Sequence, residues 1–149
     1  MTTDADDVLR EHGASLADAI TAAVPGWVVR CVVRAGGAAL RADAERAGTA
    51  AAADVGPSLH ALLTADVDAQ RGNPLAIVRD AVRFPTEVLR AAGVARPTRS
   101  PFDQQHFPGD DYGLAPMTWA DIDESLREPG IVWGAIKARA HLERHRDTT

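Results

Sequence analysis

A single cysteine, Cys31, in 149 residues excludes an internal disulfide and any cysteine-rich zinc site. Aromatic residues are scarce at 5%, seven rings in all, and lysine occurs once, at Lys137. No apolar run approaches the roughly 18 residues of a membrane span. The N-terminus has no basic start of the kind a signal peptide carries, opening instead on Asp4, Asp6 and Asp7. No G-x-S-x-G, G-x-G-x-x-G or P-loop pattern occurs, so the familiar nucleophile-elbow and phosphate-cradling motifs are missing. These absences predict a soluble, cytoplasmic protein with no motif that names a reaction.

Alanine and arginine fill the space. Alanine supplies 29 positions and arginine 15, and alanine is the best helix former. A length of 149 residues is one domain's worth of chain and enough to bury a core without staples. Charge falls in blocks behind the net value of −5. Residues 1–25 hold five acids against Arg10; residues 71–99 hold six arginines against Asp80 and Glu87; residues 101–130 hold seven acids against Arg127. A basic block followed at once by a stronger acidic one predicts internal ion pairing. The balance argues against a nucleic-acid footprint, which needs an uncompensated basic patch.

Hydrophobic spacing predicts an all-α fold, a compact single-domain bundle of about five to six helices. Its core helices lie over about 6–93, an irregular arm over about 94–117 and C-terminal helices over 118–146. Leu9, Leu16, Ile20 and Ala23 form one stripe, and Pro25–Gly26 should stop that helix. Trp27 to Arg34 suits either a strand or a helix. With no second strand nearby to satisfy its backbone, helix is the reading. Ala38 to Asp54 is helical with few large apolar residues, so it must pack closely through small side chains. Gly56–Pro57 should break or kink the chain, before a stripe of Leu59, Leu62, Leu63 and Val67 that ends near Arg71–Gly72. Asn73–Pro74 is an N-cap followed by proline at the first helical position. That helix should run to a stop at Gly93, kinked at Pro85. Thr118 to Asp121 has the capping-box shape and opens a short helix ending near Arg127. The last helix is expected to start at Ile131, after Glu128–Pro129–Gly130.

The 94–117 arm has no helical period and four prolines, yet it contains Phe102, Phe107 and Tyr112, with Trp119 just beyond. A connection this long without regular structure is uncommon unless it binds something or packs along a surface. These four aromatics are the candidate interaction residues, and rings at about 150–250 Å² each are expected to pin the arm. His141 and His145, four apart on the last helix, could share a transition metal. Leu142 stands where the zincin pattern needs glutamate, and a fraying cationic helix end is the plainer reading. Asp103, His106, Asp110 and Asp111 do not match a calcium-loop spacing. Trp27, Val28, Cys31 and Val32 should be buried and the thiol inert. His12 should be a hydrogen-bonded residue at the edge of the first helix's apolar face.

The segment FPGDDYGLAPMTWADIDESLREPGIVWGAIKARAHL resembles the tail of a group of small actinobacterial helical proteins. The likeness extends back to NPLAIVRDAVRFPTEVLRAAGV. It implies a bacterial source and helical character, with no activity or site residue attached. No catalytic set and no cofactor is implied. The functional expectation is a non-enzymatic interaction or regulatory protein that binds a protein partner or itself. The alternative is a small-molecule or metal-binding helical protein with a histidine–carboxylate site.

Overall fold

The structure, a computed structural model, describes residues 3–65 and 73–146. Among these the chain is all-α. The spine is α1 (Thr3–Gly36), followed by a 3₁₀ turn at Ala38–Leu40 and α2 (Arg41–Leu63). Then come α3 (Pro74–Asp80), α4 (Arg83–Ala91), α5 (Pro101–His106) and α6 (Trp119–Ile122). A 3₁₀ turn at Glu124–Leu126 leads into α7 (Arg127–Arg146).

Pro25, expected to end a helix, lies inside one instead, and Pro57, expected to break or kink the chain, leaves its helix unbroken. Pro25 sits within α1 and Pro57 within α2. Burial on both sides explains this. Leu16, Ile20, Val24, Val28 and Val32 continue one stripe straight through Pro25, each at most 1% exposed. Beyond the proline, Trp27, Val28 and Val32 bury side chains worth about 1.5–3 kcal/mol apiece. Together they outweigh an interior proline's cost of about 3 kcal/mol. Val55, Leu59 and Leu63 bracket Pro57 on the α2 stripe in the same way. The 27–34 segment is accordingly helical. Its uninterrupted length corrects the reading that no membrane-length run exists: α1 is long and apolar enough to cross a membrane by length and composition alone. A buried core helix meets the same description.

The helices α1 and α2 run antiparallel at very short range, and glycine permits it. A methyl group placed on Gly13 would lie 1.9 Å from the Leu63 carbonyl oxygen. One on Gly48 would lie 2.8 Å from Pro25 Cα. Ala44, Gly48 and Ala51 form the buried stripe of the first half of α2, the close packing through small side chains that its composition required. The α2 helix ends at Leu63; Val67 and the stop expected at Arg71–Gly72 lie outside the described residues.

The Asn73 side chain accepts a 2.9 Å hydrogen bond from Leu75 N, capping α3 as its sequence indicates. The helix expected over 74–93 divides at Ala81–Val82. The Pro85 ring clashes with the carbonyl four residues back, which belongs to Ala81, so the break falls there. Gly93, at φ 72°, closes α4 with Val94 N donating to the Leu89 carbonyl at 3.0 Å, the Schellman pattern.

The C-terminal boundaries also shift. The short helix stops at Ile122 rather than near Arg127, and α7 begins at Arg127 with Pro129 and Gly130 in its first turn. Proline is tolerated there because first-turn N–H groups have no intrahelical acceptor. Gly130 is fixed by Trp119, whose indole would lie 2.4 Å from an added methyl group.

Candidate functional site

The arm over 94–117 is ordered mainly by hydrogen bonds rather than by its phenylalanines. Asp110, only 6% exposed, accepts from Leu114 N at 2.6 Å and from Ala115 N at 2.9 Å, closing a tight turn. Arg79 Nε donates to the Pro116 carbonyl at 2.8 Å, tying the arm's end to α3. Asp111 receives Arg90 at 2.9 Å and Arg96 at 3.8 Å. The expected pairing between the basic and acidic blocks is thus realised by Asp111, whereas Arg83 pairs instead with Asp54, at 2.7 Å.

The four candidate aromatics divide. Tyr112 is buried, and its hydroxyl donates to the Val94 carbonyl at 2.7 Å. Trp119 is half-buried edge-on to Trp133, with ring centroids 6.4 Å apart. Both serve their own chain. Phe107 is half-buried. Phe102 is 61% exposed, in α5, a short helix where none was expected. Local capping makes α5: Ser100 accepts from Asp103 N at 3.1 Å and Pro101 occupies the first position. Six residues are too few to show a period. Arg99 Nη1 braces the end of α5 by donating to the Phe107 carbonyl at 2.7 Å. The His106 ring stacks on Phe102 with centroids 4.0 Å apart, its Nδ1 2.9 Å from the Phe102 carbonyl.

The polar clusters read from the sequence are spread out. Asp103, His106, Asp110 and Asp111 each serve a separate contact, and among the described residues no three His, Cys, Asp or Glu side chains converge as metal ligands do. His141 and His145 lie side by side on an exposed face of α7, ring centroids 4.4 Å apart. His12 donates from Nε2 to the Pro129 carbonyl at 3.2 Å, linking α1 to α7 from the edge position expected of it. The carboxylate of Asp121 accepts from Met117 N at 2.9 Å and Thr118 N at 3.0 Å. These bonds, Met117's first, hold it below the ordinary carboxylate range. Asp123 is lowered by Ser125 and faces Arg30 at 3.8 Å. Arg30 also donates to the Ile122 carbonyl, so one guanidinium from α1 holds the α6 junction.

Cys31 is half-buried rather than buried, a correction to the expected core set; Trp27, Val28 and Val32 are buried as expected. Loss of hydration pushes the thiol up to about 11, against the opposing pull of Arg34 and Arg30.

Sequence reasoning missed one concavity. A groove of about 790 Å³ lies between α2 and α4, with Leu40, Ala47, Phe84 and Val88 lining it and Asp43, Arg83 and Glu87 adding charge. Its signal was present in the alternation of charged and apolar residues along α4, but the α2 side comes from 40 residues away. No protein-family model matches the chain, and no curated protein or solved structure matches it.

Proposed function

We propose that this chain is a non-enzymatic interaction protein that presents the α5 knuckle to another protein. The observation that carries the reading is Phe102, exposed on a segment already fixed by Ser100, Arg99 and the Asp110 turn. An aromatic held in place before binding loses little conformational freedom on contact. Aromatic anchors also supply much of the energy at protein interfaces. Half-buried Phe107 forms the base of the same knuckle. The reading takes α1 as the spine of a cytoplasmic bundle, supported by the burial of Leu16, Ile20, Val24 and Val28.

The test compares proteins captured from cell extract by the wild type, Phe102→Ala and, as a control, Arg127→Ala at the start of α7. A partner retained by wild type and control but lost by Phe102→Ala, at unchanged melting temperature, supports the reading. A partner set indifferent to Phe102 refutes it.

A second reading, a small-molecule-binding protein, rests on the α2–α4 groove. An apolar ligand at a hundred times its Kd would stabilise the fold by about 2.7 kcal/mol, and Val88→Trp, which fills the groove, should remove that shift. His141 and His145 offer a metal two ligands. Titration with zinc and nickel of wild type and the double alanine variant tests that version.

A further inference from the structure

The last helix is apolar on two opposite faces. Its inner face carries Gly130, Trp133 and Ala140, all buried. At 100° per residue the opposite side carries Ile131, Ala135, Ala138 and Leu142, all exposed, Ile131 at 62% and Leu142 at 65%. Their spacings of four, three and four are those of a coiled-coil seam. Among the described residues, four of the six exposed large apolar side chains (Val8, Ile131, Val132 and Leu142) lie on α7 or on the neighbouring turn of α1. Single exposed apolar residues are ordinary, whereas an apolar stripe along a helix is normally the face it buries.

We infer that this outer face of α7 is a self-association surface, and that two copies of the chain pair there with their α7 helices antiparallel. Two observations select a second copy. The seam is its own two-fold image: large, small, small, large. In an antiparallel pair centred between Ala135 and Ala138, Ile131 meets Leu142 of the other copy and the alanines meet in the middle, where the backbones come closest. Such self-complementarity is what an isologous dimer requires. The second is charge. Glu128 stands at the start of the outer side and Arg139 towards its end, while Arg144 lies on the inner side, where it pairs with Asp6. Antiparallel docking sets the acidic end beside the basic one and opposes the helix dipoles, whereas parallel docking places like beside like. The inference is independent of Phe102, which lies on the arm.

Sedimentation across a concentration series tests it. The mass should rise from 15.8 kDa towards twice that value for wild type and for Phe102→Ala. It should stay monomeric at every concentration for Leu142→Glu and for Ala138→Glu, each with unchanged helical circular dichroism. Both sites face solvent in the single chain, so at least one variant should fold. For the register, Ala135→Cys and Ala138→Cys are made in a Cys31→Ser background. The two variants mixed should form disulfide-linked dimers faster than either alone. A wild type that stays at one chain mass throughout would overturn the proposal and leave the face to a different partner. Association that survives both glutamates, or faster cross-linking by each variant alone, would overturn the surface or the register.

Discussion

At the level of single residues, the closest tolerances lie between α1 and α2. A methyl group on Gly48 would stand 2.8 Å from Pro25 Cα and 2.9 Å from its carbonyl oxygen. Both are main-chain atoms inside a helix, so no side chain can rotate to relieve the clash. Gly48→Ala should therefore destabilise by about 1–3 kcal/mol, although alanine is the better helix former. Equilibrium urea unfolding reads the sign, and a stabilised variant would contradict the packing. Cys31 offers a second measurement. With its thiol pushed up to about 11 by lost hydration, it is scarcely ionised at pH 8, and the thiolate is the reactive form. Labelling by a thiol reagent should be slow in the native protein, quicken as pH rises past 9, and become fast in urea. Native labelling at the rate of a free cysteine at pH 8 would rule this out.

Among the elements, the α6 cap shows how much a local signal can carry. The Asp121 carboxylate accepts two backbone N–H groups, which favours its ionised form and lowers its proton affinity below the ordinary value of 3.8. Its contribution to stability is complete above that value and is lost as pH falls through the lower folded one. Asp121→Ala should cost about 0.3–1.5 kcal/mol at pH 7, and the gap from wild type should narrow as pH falls below 3.8. A gap that persists in acid would assign the effect to packing. The capping boundary at Thr118, the Asn73 N-cap and the Gly93 stop were all legible because each depends on hydrogen bonds within a few residues. The arm's small helix was missed for a related reason: Ser100 and Pro101 carry its start signal, but six residues cannot display a period. Of the candidate site, Phe102 and Phe107 were named from composition, yet their exposure, and the burial of Tyr112 against Val94, depend on what lies alongside.

Across the whole molecule, α1 is the element that the others share. It packs on α2, α4, α6 and α7, and Ile20 near its centre is fully buried. Ile20→Ala should cost about 2–5 kcal/mol. Because α1 joins the parts, helical circular dichroism and tryptophan fluorescence from Trp27, Trp119 and Trp133 should report one coincident transition. Two separated transitions would mean that the arm and C-terminal helices unfold independently of the spine.

The sequence by itself determined the helical class, the caps at Asn73 and Thr118, the buried stripe of α1 as far as Ile20 and the need for α2 to pack through small residues. Each follows from propensity, spacing or a hydrogen bond reaching no farther than a turn or two. Only the tertiary structure decided that Pro25 and Pro57 would lie inside helices. A proline's cost is fixed locally, whereas the burial that exceeds it comes from distant chain: Gly48 seats against Pro25, and Val55, Leu59 and Leu63 find cover in the assembled core. The same reason explains Pro129, admitted to the first turn of α7 as Gly130 closes on Trp119. The outer face of α7 belongs to both levels: its seam spacing is written in the sequence, and its exposure exists only once Trp133 and Ala140 have turned the opposite side inward.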